Sequence, residues 1–392
     1  MWVKKRHQIF INIVRPFFKI YLKIKYRFTH DKPIVMPEGS VILCNHTTTL
    51  DPVMVSYLFK HHVYYMASKD IFNHRFIGKM LKFWLNPIPK EKVKKSDFNA
   101  IKSCMRVAKE NGSIGIFPEG NRTFSGELGY IDKSIVKLIK TLKKPLVICN
   151  IKGGYPTDPR WGLTIRKGKL NVSIKKIYQY DEIEKMDNEE LYELIISQLT
   201  VDDYNYHNEY KGKCLAEHLE KIFYICPVCG KMHTISTNKN MIYCSFCELE
   251  VEHLPSLEFK ANKDEFTFKN VKDWYKWQID VIKEKDFSYD EIIYQDEMGL
   301  YLSVPFKKKQ LLSFGMMKMY NDHFEFTGKN ENRNIYFNEI TAITLVGKKK
   351  MNIYVGDTTY QVLNTPKTNL LKYMHLFYVI KNIGGNYEFL GL

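Results

Sequence analysis

Hydrophobic positions change their spacing several times along this chain, and each change predicts an element. At the start, Ile9, Ile13, Phe17, Tyr21 and Ile24 share one side of a helical wheel, widened by Phe10, Val14 and Ile20. Lys5, Arg15, Lys19 and Lys23 fall opposite, Arg6 and Arg27 interrupt the separation, and Pro16 is expected to split or kink the helix. Between residues 33 and 180, apolar runs of strand length alternate with helical spacing, the pattern of an α/β domain. The predicted strands are Val41–Cys44, Val63–Ala67, Ser113–Phe117, Leu146–Ile151 and Asn171–Ile174. Phe98–Lys109 has helical spacing, Leu128–Leu142 is a less regular helix, and Asp187–Leu199 reads as a helix with a polar cap. Residues 71–88 interleave Phe72, Phe76, Ile77, Met80, Phe83 and Trp84 with Arg75, Lys79 and Lys82, which suits either a second membrane-facing helix or a core helix.

Beyond residue 200 the pattern changes. Residues 201–222 read as a charged helical connector, 223–255 are dominated by paired cysteines, and Val271–Lys283 has helical spacing. Strand-like runs follow at Gly299–Val304, Leu311–Tyr320, His323–Thr327, Asn334–Phe337, Ala342–Val346, Met351–Val355 and Thr358–Leu363, then a closing helix at Asn364–Ile383. Many short strands closed by one helix suggest that residues 256–392 form a β-rich domain of pleckstrin-homology-like architecture. Its lysine runs, Lys307-Lys308-Lys309 and Lys348-Lys349-Lys350, suit either solvated loops or contact with anionic headgroups.

A chain of 392 residues is expected to hold two or three domains. Its 59 basic and 43 acidic residues give a net charge of +16, and half of that excess lies in the first 28 residues, which contain no acid. Basic charge on an amphipathic helix is the profile of a segment lying in a membrane interface, here residues 1–30. No small-residue cleavage site follows an apolar core, and no uncharged run approaches the roughly 18 residues a spanning helix needs. Four of the eight cysteines are scattered and four are in tight pairs, a usage that suits a reducing compartment and a metal site.

Two stretches carry candidate chemistry. Asn45-His46-Thr47-Thr48-Thr49-Leu50-Asp51-Pro52 follows a predicted strand and opens a helical run, so Asp51 is expected to cap that helix. On an ideal helix His46 and Asp51 would stand about 140° apart, so they meet only if His46 lies in the preceding loop and folds back. That pair is an imidazole oriented by a carboxylate, as in many transferases and hydrolases. Alone, it also fits an ordinary surface histidine beside a helix cap. Phe117-Pro118-Glu119-Gly120-Asn121-Arg122-Thr123-Phe124-Ser125-Gly126 emerges at a strand's carboxyl end, where open α/β sheets bind ligands. Gly120 allows a close turn, Arg122 offers a planar fork for phosphate, and Thr123 and Ser125 add hydroxyls. Alone, this stretch also fits a structural Glu–Arg ion pair.

Together, and in this order, the two stretches resemble the glycerolipid acyltransferase family, of the 1-acylglycerol-3-phosphate acyltransferase type, over roughly residues 30–180. Ser68-Lys69-Asp70-Ile71-Phe72, Phe76-Ile77-Gly78 and Asn86-Pro87-Ile88-Pro89-Lys90 look like the family segment that ends in a phosphate-contacting arginine. Lys90 stands there and supplies the charge without the fork. Asn121 replaces a threonine common in the family, and Pro145-Leu146-Val147-Ile148-Cys149-Asn150-Ile151 looks like its apolar fourth motif without the second proline.

The resemblance implies an α/β acyltransferase domain with a mixed sheet, residues 31–200. It implies transfer of an acyl chain from an acyl-CoA or acyl-carrier-protein thioester to the 2-hydroxyl of lysophosphatidic acid, giving phosphatidic acid. His46 is then the general base and Asp51 its orienter. Asn45, Lys90, Glu119, Gly120, Asn121, Arg122 and Thr123 bind the acceptor, and no cofactor enters the chemistry. Competing readings are another lysophospholipid or glycerolipid acceptor, or a catalytically silent lipid-binding scaffold. The expected location is the cytoplasmic face of the cell membrane, peripheral or monotopic on an anionic surface.

Cys226-Pro227-Val228-Cys229 and Cys244-Ser245-Phe246-Cys247 supply four thiolates from two knuckles, enough for a closed tetrahedral zinc site, and the region resembles a zinc ribbon. With sulfur at all four positions such a zinc is structural. Ribbons often touch nucleic acid, but Glu248, Glu250 and Glu252 offset Lys221, Lys231 and Lys239, so the dense basic face that phosphate neutralisation requires is missing.

Overall fold

The computed structural model describes residues 1–69, 75–90, 97–206, 208–288, 291–303, 309–364 and 368–381. Residues 70–72, 304, 307, 308, 382 and 383, named above, lie outside that set, as do the side chains of Arg75, Phe76, Ile77 and Asn364. Two compact units are present: residues 1–159 with 165–211, and residues 160–164 with 212–381.

The first unit contains strands β1 (Phe28–His30), β2 (Val41–Cys44), β3 (Val63–Ser68), β4 (Ile88–Lys90), β5 (Ser113–Ile116), β6 (Leu146–Lys152) and β7 (Leu170–Tyr178). Its helices are α1 (Lys5–Tyr26), α2 (Asp51–Val55), α3 (Arg75–Trp84), α4 (Phe98–Lys109), α5 (Ser134–Leu142), α6 (Gly154–Thr157), α7 (Tyr180–Lys185) and α8 (Asn188–Leu199). The sheet order is β1-β7-β6-β2-β5-β3-β4, with β6 and β7 antiparallel and all other neighbours parallel. Every residue of β2 is buried because both faces of the sheet are covered, which is why it reads as an unbroken apolar run. Val41 and Leu43 pack into a core with α4, α5 and α8, while Ile42 and Cys44 pack with Leu22 and Tyr26 of α1 and with Met54–Phe59.

α1 runs continuously through Pro16, contrary to the expected break. Pro16 and Asn12 are both exposed, so the carbonyl that loses its helical donor is not trapped in a core. Polar contacts dock this helix. Arg15 donates to the Ser56 carbonyl at 2.9 Å, the Tyr57 hydroxyl donates to the Arg15 carbonyl at 2.6 Å, and the His62 N–H donates to Gln8 at 2.7 Å. Ile9, Ile13, Phe17, Phe18, Ile20, Tyr21 and Ile24 are exposed, Phe17 at 71% and Ile24 at 72%. Among the described residues no helix is long and apolar enough to cross a membrane.

Two other expectations change. The helix expected from Leu128 starts at Ser134, because the Gly129 N–H is drawn to the Glu119 carboxylate at 2.7 Å instead of joining a helical ladder. The expected connector helix reduces to one tight turn, Leu219–Lys221. Asp202 accepts instead from the backbone N–H of Tyr204 and Asn205, the local bonding by which aspartate competes with helix.

The second unit has a four-stranded antiparallel sheet of β8 (Ile235–Asn238), β9 (Met241–Cys244), β10 (Glu250–His253) and β11 (Phe259–Ala261), followed by α9 (Val271–Lys283). Seven further strands follow: β12 (Tyr294–Ser303), β13 (Gln310–Met319), β14 (His323–Gly328), β15 (Asn332–Tyr336), β16 (Ile340–Val346), β17 (Lys350–Val355) and β18 (Thr358–Asn364). They pair antiparallel in the order β15-β14-β13-β12-β18-β17-β16, and α10 (Leu371–Lys381) closes the chain's described part.

Candidate active site

β2 and β5 are parallel neighbours, with Leu43 opposite Ile116, so the loops that follow them leave the sheet at the same edge. His46 and Glu119, 73 residues apart in sequence, therefore meet: the His46 N–H donates to Glu119 Oε1 at 2.6 Å.

His46 folds back so that Nδ1 lies 2.8 Å from Asp51 Oδ2, and its ring stacks on Phe117 with centroids 4.6 Å apart. A carboxylate acceptor at Nδ1 selects the Nδ1–H tautomer and leaves the Nε2 lone pair as the basic site. The side chain is 20% exposed. Asp51 is the first residue of α2, with Leu50 in the cap position, because its carboxylate points back into the loop. There it also accepts from the backbone N–H of Thr47 at 2.6 Å, the N–H of Thr48 at 2.9 Å and the Thr48 hydroxyl at 2.6 Å. A fully buried charge is thus met on several sides by donors.

Glu119 bridges the loops, accepting from His46 N–H and, through Oε2, from Gly129 N–H at 2.7 Å. Burial pushes its carboxyl up to about 8 against the downward pull of these two N–H groups, and the Asp51 charge adds to the rise. Asn45 also faces backbone: its amide donates to the Ile151 carbonyl at 3.0 Å and its Oδ1 accepts from the Ile151 N–H at 2.8 Å, clamping the end of β2 to β6. Gly120 is exposed at φ +67°, a conformation that favours glycine, with its N–H bonded to the Phe117 carbonyl at 3.0 Å. Asn121 and Arg122 follow, half-buried, and the Thr123 N–H donates to the His46 carbonyl at 3.2 Å. Lys90 ends β4, exposed, on a strand two places beyond β5, roughly 10 Å at ordinary strand spacing. The loops border a small, partly open cleft lined by His46, Thr47, Glu119 and Thr123, with Leu128 and Leu199 also on its wall.

Sequence reasoning missed Thr47, Thr48 and Gly129. A threonine run just before the aspartate was the available sign for the first two. Gly129, ten residues past Glu119, carried none.

In the second unit, the Sγ atoms of Cys226, Cys229, Cys244 and Cys247 all lie within 4.8 Å of one another, and no disulfide joins them. Sγ separations are 3.6 Å for Cys226–Cys247 and 3.8 Å for Cys229–Cys244. A tetrahedral zinc with bonds of about 2.3 Å has edges of about 3.8 Å, so this donor set fits the ion.

Residues 25–152 match the model of the Acyltransferase family. The 1-acyl-sn-glycerol-3-phosphate acyltransferase of Bacillus subtilis (strain 168) is 30% identical over 147 residues, which span 36% of this chain and 69% of that protein. The protein of the same name from Cocos nucifera is 22% identical over 147 residues, spanning 37% of this chain and 48% of that protein. Among solved structures, the 1-acyl-sn-glycerophosphate (LPA) acyltransferase PlsC of Thermotoga maritima aligns with a TM-score of 0.37 and 16% identity, over 48% of this chain and 75% of that one.

Proposed function

Because this chain belongs to the glycerolipid acyltransferase family and is an acyltransferase, we propose that it moves an acyl group from a thioester donor to the 2-hydroxyl of lysophosphatidic acid, giving phosphatidic acid. The observation that carries the mechanism is the His46 imidazole, fixed at Nδ1 by Asp51 and hydrogen-bonded through its own backbone to Glu119. Nε2 takes the proton of the acceptor hydroxyl as that oxygen attacks the thioester carbonyl. The tetrahedral intermediate then expels the thiolate, which takes the proton from the imidazolium, so His46 ends neutral. Asp51 holds the tautomer and stabilises the imidazolium between the two steps. Asn45 and Glu119 act by holding the loops. Arg122, with Gly120, Asn121 and Thr123 around it, meets the acceptor phosphate, and Lys90 adds positive charge at a distance.

The outward apolar side of α1, with exposed Lys5, Lys23, Lys25 and Arg27, supports a peripheral position in an anionic membrane interface at the cytoplasmic face. The cysteine geometry supports a structural zinc, which the four thiolates hold as a closed site that stabilises the ribbon. The antiparallel order of β12–β18 closed by α10 supports the pleckstrin-homology-like reading of the last domain.

The test is an assay on lipid vesicles with an acyl-CoA donor, comparing lysophosphatidic acid with a neutral monoacylglycerol. Lysophosphatidic acid is expected to be the preferred acceptor, and His46→Ala to lower turnover by about 10²–10⁴-fold. Undiminished turnover in His46→Ala removes the mechanism, and equal use of the neutral acceptor removes the phosphate contact.

A further inference from the structure

A turn far along the chain braces this site from behind. The Tyr204 hydroxyl donates to the Ser125 carbonyl at 2.6 Å and lies 3.4 Å from the Tyr155 hydroxyl. Tyr155 in turn fits against Gly126, where an added Cβ would come within 2.7 Å of its ring and where φ is +92°. The Gly126 N–H donates to Thr123 Oγ1 at 2.9 Å, and the Thr123 N–H reaches the His46 carbonyl. Residues 123–126, which follow Arg122, are therefore held between the histidine loop on one side and a tyrosine pair on the other. The neighbouring residue, Asp203, is buried and accepts from the Gly153 N–H at 2.6 Å. Gly154 is packed so tightly on Thr47 that a Cβ would lie 2.2 Å from its hydroxyl, and Thr47 is a donor to Asp51. One turn thus supports both loops, and it lies outside the family-matched residues 25–152.

We propose that Tyr204 is a positioning residue for acceptor binding, acting through the Ser125 carbonyl to set the turn that presents Arg122 to the substrate phosphate. This rests on the lysophosphatidic acid reading above. Tyr204→Phe keeps the ring and removes only the hydroxyl, leaving the Ser125 carbonyl without that donor. The expected result is a rise of about tenfold in KM for lysophosphatidic acid, with kcat and the KM for the acyl donor nearly unchanged and the melting temperature lowered by a few degrees. A tyrosine that is merely structural would instead leave both KM values alone and depress kcat with the fraction of folded protein, and that result overturns the proposal. An unchanged KM in an active Tyr204→Phe protein also overturns it, leaving the acceptor reading intact. Wild-type protein that forms no phosphatidic acid overturns the acceptor reading and this proposal with it.

Discussion

The two carboxylates beside His46 are buried alike but bonded differently. Asp51 gathers donors from the three residues before its own turn, whereas Glu119 links backbone groups of two separate loops. Burial raises Glu119 above the usual carboxylate range, to about 8. An acid raised in this way keeps its proton in the folded chain after the unfolded chain has lost it. The stability it contributes is complete below the unfolded value of about 4.3 and is lost as pH rises through about 8, roughly tenfold in the folding constant per pH unit between them. Wild-type melting temperature should therefore fall between about pH 5 and about pH 9, and Glu119→Gln should flatten that slope. An identical slope in the variant assigns the titration to another group. The amide introduced by Glu119→Gln would also point a donor at one of the two N–H groups, so turnover should fall as well. The pairing of His46 with Asp51 was legible in sequence because both lie within one motif six residues long. The grip of Glu119 on the His46 N–H was not, since only the pairing of β2 with β5 brings them together.

Among the elements, α4 was readable to its ends, because a helical apolar spacing starts just after Asp97, whose carboxylate accepts from the Ala100 N–H at 3.0 Å. β1 and β4 have three residues each and α6 has four, too few for any period to show. For α1 the wheel reveals two faces without saying which one meets the protein. Gln8 and Arg15 dock it and the apolar side is left outward, the reverse of a helix that closes a core. Phe17→Glu or Ile13→Glu should each weaken cosedimentation with anionic vesicles by at least about tenfold, from the roughly 1.5–3 kcal/mol that burial of such a side chain contributes. The melting temperature should stay put, because both side chains are exposed. Unaltered vesicle binding in both variants speaks against α1 as the contact.

At the scale of the whole molecule, the residues proposed for acyl transfer lie in the first unit and the thiolate cluster in the second. Metal analysis should find one zinc per chain, and Cys247→Ser or chelation should lower the melting transition of the second unit by several degrees, because such sites contribute folding energy directly. Protein purified without zinc and with four titratable thiols at these positions reads against the site. The cysteine spacing made this cluster legible, whereas the membership of residues 160–164 in the second unit was not, because they lie within the first unit's sequence. The outward side of α1 has a last consequence, for what concentration means to this enzyme. On the proposed interfacial placement it would meet acceptor by lateral diffusion, and its rate would follow the mole fraction of lysolipid among its neighbours. Inert phospholipid would then act as a diluent even when the number of acceptor molecules in the tube is unchanged.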